Sequence, residues 1–274
     1  IVWYNRATRV ALTAEQAAGR TPDQLQGFEQ RELGEAFYYD TAYGTPLAYV
    51  RAIDLAAQHG FQADGGRVLD FGFGGAGHLR LLASLGAHVV GTEVFELLRA
   101  FYRPEDTGAI ARAAVAGEGA GGSIELLYGQ WPAEDEITAA VAEGGPYHLI
   151  LSKNTLKRGY IHPEREVDPR FLVHLGVDDA TFARALHDTL APGGLVVIYN
   201  LYPAQNPPQE QYLPWATGAC PFERELLEQS GLEIVAWNID DTEFARTMAM
   251  QLGWAERMDL ESDLFAMYTI LRRQ

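Results

Sequence analysis

The chain has 274 residues, enough to bury a sizeable core, and its ordinary apolar content without low-complexity runs points to a folded globular protein. Asp and Glu number 37 against 21 Lys and Arg, a formal charge of −16, which excludes the basic face needed for a nucleic acid or an anionic membrane surface. The single cysteine, Cys220, excludes an intrachain disulfide and a cysteine-based metal cluster and fits a reducing, cytoplasmic setting, and no stretch approaches the ~20 apolar residues of a membrane span.

Position 1 is Ile, which reads as a processed or trimmed N-terminus. Residues 1–60 read as a mostly helical extension, with helices over 14–18, 22–37 and 46–59. Thr21 serves as a cap and Pro22 as the first helical residue of the second of these. The connector Phe37-Tyr-Tyr-Asp-Thr-Ala-Tyr-Gly-Thr45 carries Phe37, Tyr38, Tyr39 and Tyr43. Such aromatics either pack the helices onto the rest of the fold or form a lid, with Tyr43 among the residues covering a cofactor.

Residues 61–274 read as one domain organised around Arg67-Val-Leu-Asp-Phe-Gly-Phe-Gly-Gly-Ala-Gly-His-Leu79. An apolar strand ends in Asp70, breaks into a turn holding Gly72, Gly74, Gly75 and Gly77, and resumes as a helix to Leu85. Glycine removes Cβ atoms, so a ligand can lie against the main chain, and the helix aims unpaired N–H groups at it. A second strand, 88–92, leads to Glu93, which stands 23 residues after Asp70. A carboxylate at that tip is the usual partner of two ribose hydroxyls; the plain alternative is an α/β crossover with a surface glutamate. Strands over 123–128, 147–152, 195–199, 233–238 and 264–271 follow, with helices over 95–102, 132–141, 178–190, 222–230 and 242–253 between them. This alternation predicts an α/β fold with a doubly wound, mostly parallel sheet and helices on both faces. Residues 153–176 and 202–219 are too long for plain connectors and read as lids or binding loops.

The chain resembles the class I S-adenosylmethionine-dependent methyltransferases over residues 67–271. The resemblance is carried by Val-Leu-Asp-Phe-Gly-Phe-Gly-Gly at 68–75, by Glu93, by Gly129-Gln130-Trp131 after the third strand, and by Leu190-Ala-Pro-Gly-Gly194 before the fifth. It implies a seven-stranded Rossmann-like sheet with an antiparallel last strand and S-adenosyl-L-methionine as cofactor. Asp70, Phe71, Gly72, Gly74 and Gly75 would line its methionine half, Glu93 would hold the ribose and Val94 would pack on the adenine. Gln130 stands where the family often has an acid, and its amide oxygen can accept the adenine amino group; Trp131 would donate or stack, and Ser152, at the end of the fourth strand, would be a further cofactor contact. Where the family has its third glycine this chain has Ala76, with Gly77 one place on.

A Gly-x-Gly-x-x-Gly reading of Gly72, Gly74 and Gly77 leaves a nicotinamide-dependent oxidoreductase as the alternative, although Asp70 suits a cofactor with a free ammonium rather than a pyrophosphate. A protein that binds S-adenosylmethionine without transferring a methyl group, or one that methylates a protein partner, also stays open. The methyl acceptor is expected to be a small organic molecule held beyond the strand ends, with a homodimer as a compatible assembly. Asn154 would hold it by its amide, His162 would act as base, and Lys153 with Lys157 and Arg158 would suit an anionic group on it. Histidine and acid spacings show no metal-ligand pattern, and no metal is expected.

Overall fold

The computed structural model describes residues 1–34, 37 and 49–274. Where the sequence suggests a helical extension, the first residues instead form a three-stranded antiparallel sheet. Strand β1 (Val2–Asn5) lies between β2 (Val10–Thr13) and β3 (Glu29–Arg31). Side chains of β1 alternate, so that Val2 and Tyr4 bury themselves with Ala11 and with Leu97 of the main domain. β-branched and aromatic residues fit such a half-buried pleat. The Asn5 carboxamide oxygen accepts from the amides of Ala7 and Thr8 at 3.0 and 3.1 Å and turns the chain back into β2.

The helix entry at Thr21 is real, because Thr21 and Gln24 exchange side-chain-to-backbone hydrogen bonds at 2.9 and 3.4 Å. Only one turn forms, Asp23–Leu25, before Gly27 takes a φ of +82° and redirects the chain toward β3. The helix expected over 46–59 is present as Val50–Gln58, and Ala14–Ala18 is helical as expected. Tyr38, Tyr39 and Tyr43 of the expected lid lie outside the described residues.

From Arg67 the alternating elements build the main sheet. Its strands are β4 (Arg67–Phe71), β5 (His88–Glu93), β6 (Gly108–Ala109), β7 (Ser123–Tyr128), β8 (Tyr147–Lys153), β9 (Leu190–Tyr202), β10 (Leu232–Asp240) and β11 (Phe265–Arg273). They lie in the order β10-β11-β9-β8-β4-β5-β7-β6. Strands β7, β5, β4, β8 and β9 are mutually parallel, while β11 inserts antiparallel between β9 and β10, and the two-residue β6 adds an edge. The central strands are buried on both faces, as parallel strands are. Val68, Leu149 and Val197 face one core with Leu55, Leu79 and Leu82, whereas Leu69, Ile150 and Val196 face the other with Phe182 and Leu186. Each fully buried aliphatic side chain contributes roughly 1.5–3 kcal/mol.

Two local features fix how the strands end. Between Tyr147↔Leu190 and Leu149↔Leu195 the register of β8 against β9 shifts, so Ala191-Pro-Gly-Gly194 bulges from the sheet. A Cβ on Gly194 would come within 2.9 Å of the Tyr147 carbonyl, which is why that bulge needs glycine. On one face, Arg51 of helix 50–58 makes two 2.9 Å hydrogen bonds to Asp241, which also accepts from the Tyr199 hydroxyl at 3.2 Å. Among the described residues no helix is long and apolar enough to cross a membrane.

Candidate active site

The turn after β4 hangs from β5, with the Gly72 amide donating to the Thr92 carbonyl at 2.9 Å. Gly72 and Gly74 both take left-handed φ angles, +70° and +62°, open to glycine at no steric cost. The two then differ in use. A Cβ on Gly72 would sit 2.5 Å from the Thr155 hydroxyl, so this glycine admits a neighbouring loop. Around Gly74 nothing lies within 4 Å of the Cβ position, and its bare backbone faces an open cavity.

Glu93 ends β5 beside this turn. One carboxylate oxygen accepts from the Gly74 amide at 3.1 Å, and the other accepts from Val94 and Phe95 at 2.8 and 3.1 Å. Burial raises the Glu93 pKa above the ordinary glutamate value, and the three amides oppose that rise only in part. Two cavities meet here and share Gly72, Glu93, Asn154, Thr155 and Tyr160. The first, ≈ 560 Å³, continues to Val94, Gln130 and the N-terminal sheet's Arg9. The second, ≈ 890 Å³, continues past Gly74 and Gly75 to Lys153, Lys157, Tyr49 and Trp215. Both volumes lie in the range of small-molecule and cofactor sites.

Several residues expected at the site line these cavities. Phe71 borders the first, and Val94 stands on its rim, 64% exposed. Gln130 lines the first as well; its amide nitrogen donates to the His174 carbonyl at 2.6 Å, which points its oxygen away from that bond. Trp131 belongs chiefly to the core, edge-on to Phe71 and Phe182 with centroids 6.1 and 5.5 Å away.

Other residues are placed differently from the sequence reading. Ser152 is fully buried, accepts from the Leu156 amide at 3.2 Å and lines neither cavity. His162 is paired with Asp179 at 2.8 Å and faces a separate surface groove, so it is not brought to the glycine turn. It ends a one-turn helix, Arg158–Ile161, that swings it outward. Asn154 does border both cavities, yet its oxygen accepts from the Leu201 amide at 2.7 Å and its nitrogen donates to the Tyr49 hydroxyl at 3.1 Å. With φ at +58° it acts as a strut at the end of β8, leaving one amide hydrogen for a ligand.

Asp70 departs furthest from expectation. It is fully buried, and both of its oxygens accept from the Lys153 ammonium at 2.6 Å while His78 bonds the same carboxylate. Burial alone would raise the Asp70 pKa, but the Lys153 cation and the His78 bond together hold it below the ordinary aspartate value. Burial lowers the Lys153 pKa against the opposing pull of Asp70. His78 is lowered by burial and then by the Lys153 charge. Lys153 is therefore the internal counterion of Asp70 rather than a free cation for an acceptor, and His78 is held away from the cavity.

Lys157 lines the second cavity, in line with the sequence reading, whereas Tyr49 and Arg9 are cavity residues that a sequence reading does not single out. Arg9 in particular follows a turn in a segment read as helical, and only the sheet brings it across. Among the described residues no group of three or more His, Cys, Asp or Glu is placed to hold a metal ion.

No family model and no curated protein sequence matches the chain. Solved structures similar to it include a proposed sarcosine dimethylglycine methyltransferase from Galdieria sulphuraria, with 15% identity over 82% of this chain and 84% of that one and a TM-score of 0.47. A mycolic acid cyclopropane synthase complexed with S-adenosylhomocysteine gives 15% identity over 88% and 90% of the two chains at a TM-score of 0.47. An S-adenosylmethionine-dependent methyltransferase from Mesorhizobium loti gives 17% over 82% and 98% at 0.42. Independently of these, five parallel strands are followed by a parallel sixth, with the last strand inserted antiparallel beside the fifth. That is a doubly wound, mostly parallel α/β sheet with the antiparallel last strand that the sequence resemblance implies. It places the glycine turn and Glu93 at the carboxyl ends of adjacent strands, where open α/β sheets bind their ligands.

Proposed function

We propose that the chain is an S-adenosylmethionine-dependent methyltransferase acting on a small organic molecule. The observation that carries this reading is the pairing of Glu93 with the open backbone of Gly74, at the junction of two cavities. The residues present fit an adenosine. A carboxylate offers about four acceptor positions, of which three are filled by amides here, and a ribose diol would take the fourth and displace the Gly74 amide. Val94 would cover one face of the adenine, and the Gln130 oxygen would accept its amino group. At the amino-acid end the fit differs from the usual one, because Lys153 already occupies Asp70. The ammonium end would be met by backbone carbonyls of the turn, with the Asp70–Lys153 pair as a fixed floor beneath.

When bound, S-adenosylmethionine supplies a methyl group already activated by its sulfonium charge. What remains for the protein is alignment and exclusion of water. Glu93 would hold the ribose, the left-handed turn would let the main chain approach the ligand, and Thr155 and Tyr160 line both cavities. The larger cavity, walled by Tyr49, Phe73, Phe95, Tyr160 and Trp215, would receive the acceptor. Its aromatic walls support a small organic acceptor over a protein chain.

Titration calorimetry with S-adenosylmethionine and S-adenosylhomocysteine is the test. Saturable binding of both is expected; binding of NADH with neither adenosyl compound would replace this reading with the oxidoreductase one.

A further inference from the structure

Among the described residues, Lys157 is the one lysine of the cavity that no carboxylate neutralises. It lies on the short stretch between β8 and helix 158–161, is 1% exposed, and lines the larger cavity. Its ammonium donates to the carbonyls of Leu201 at 2.6 Å and Trp215 at 3.3 Å and lies 5.5 Å from the centre of the Tyr160 ring. Among the described residues, the other charged groups facing this space have their own partners. Lys153 belongs to Asp70, Glu93 is held by backbone amides, and Asp263 accepts from the Asp259 amide and the Ser262 hydroxyl. Buried cations are normally paired, and an unpaired one is costly.

We infer that the larger cavity is built for an acceptor bearing a carboxylate, which Lys157 receives between the aromatic walls. This inference rests on the methyltransferase reading for the word acceptor, while the anion site itself does not depend on it. Two N–H groups of the ammonium are directed at carbonyls, and the third, without a partner among the described residues, would meet an incoming oxygen. Burial brings the Lys157 pKa down to about 7, so a carboxylate alongside would favour the charged form and complete the pair. Tyr49, Tyr160 and Trp215 supply flat apolar surface for a ring or chain attached to that carboxylate. Gly74 and Lys157 border the same cavity, so an acceptor held by Lys157 would share it with the glycine turn.

The experiment uses the full chain, first titrated with S-adenosylhomocysteine and then, with and without it, with matched acid and amide pairs: benzoate and benzamide, indole-3-acetate and indole-3-acetamide, 4-coumarate and 4-coumaramide. At least one acid is expected to bind tenfold or more tightly than its amide, and Lys157→Met should abolish that preference while leaving the amide's affinity in place. If the Met variant misfolds, the Lys157 ammonium resonance in ¹⁵N-lysine-labelled wild-type protein serves instead, and it should shift with the acid and not with the amide. Equal binding of acid and amide throughout the panel, or a preference that survives Lys157→Met, overturns the inference and leaves Lys157 as a brace for the 202–219 loop. Preference for an acid without any binding of S-adenosylhomocysteine would keep the anion site and remove the methyltransferase reading.

Discussion

Glu93 and Asp70 are both acids at strand tips, and the structure gives them opposite duties. Glu93 stays at the cavity with its charge held by amides, and replacing it by Ala should weaken S-adenosylhomocysteine binding by roughly 1.5–3 kcal/mol, the worth of a hydrogen bond to a charged group. Calorimetry reads this directly, and unchanged affinity would remove Glu93 from the site. Because burial raises its pKa, Glu93 takes up a proton at a higher pH than an exposed glutamate. Affinity should therefore fall first on the acid side, and Glu93→Gln should flatten that dependence. Asp70, in contrast, serves stability. Removing Lys153 with Met leaves a buried carboxylate without its cation and should cost about 3–5 kcal/mol in urea unfolding. The folded pKa values of Asp70 and His78 are both lowered, so the stability they carry is present at neutral pH and lost on acidification. For His78 the loss begins as pH falls through about 6.5, at up to about 1.4 kcal/mol per pH unit, and His78→Gln should remove that limb of the urea midpoint. The sequence marks both acids by position alone. Nothing in the spacing of Asp70, His78 and Lys153 announces that they meet, since Lys153 lies 83 residues from Asp70.

At the level of elements, legibility follows period and burial. Strands such as β4 and β8 carry apolar residues up to Asp70 and Lys153, and helix 179–189 shows its cap at Asp178, whose carboxylate accepts from the Thr181 amide at 2.7 Å. These elements could be placed to within a few residues from the sequence. The N-terminal sheet could not, because β1, β2 and β3 are three or four residues long and β3 is largely exposed, so no period develops. Gly27 was the available sign against a helix over 22–37. Helix 50–58 shows what fixes a peripheral element once it forms: Arg51 reaches Asp241 at the far end of the chain, where Tyr199 completes the carboxylate's bonds. Asp241→Asn removes one of the two carboxylates that hold Arg51, leaving Asp54 at 2.7 Å, and should cost about 1.5–3 kcal/mol, the worth of a hydrogen bond to a charged group. A loss confined to a few tenths, measured by chemical unfolding, would show that water satisfies Arg51 instead.

Across the whole molecule, the cleft is closed by parts that sequence order keeps far apart. Tyr4 of β1 meets the Phe95 ring edge-on at 5.8 Å, just beyond Glu93, and the Arg9 guanidinium donates to the Arg170 carbonyl at 2.5 Å. The N-terminal sheet thus bridges from the tip of β5 to the 153–176 segment, over the cavity that would hold the adenine. A ligand there would touch both walls and stabilise the folded state by mass action, about 2.7 kcal/mol at a hundredfold excess over its Kd. Hydrogen exchange should then slow in two separated stretches at once, residues 2–13 and 154–174, because each wall can open only if the ligand leaves or the other wall gives way. Tyr4→Ala should loosen the first wall and weaken S-adenosylhomocysteine binding without lowering protection of β4, β8 or β9. Protection gained by the glycine turn alone, with residues 2–13 exchanging as before, would mean that the N-terminal sheet is only packed beside the site and takes no part in closing it.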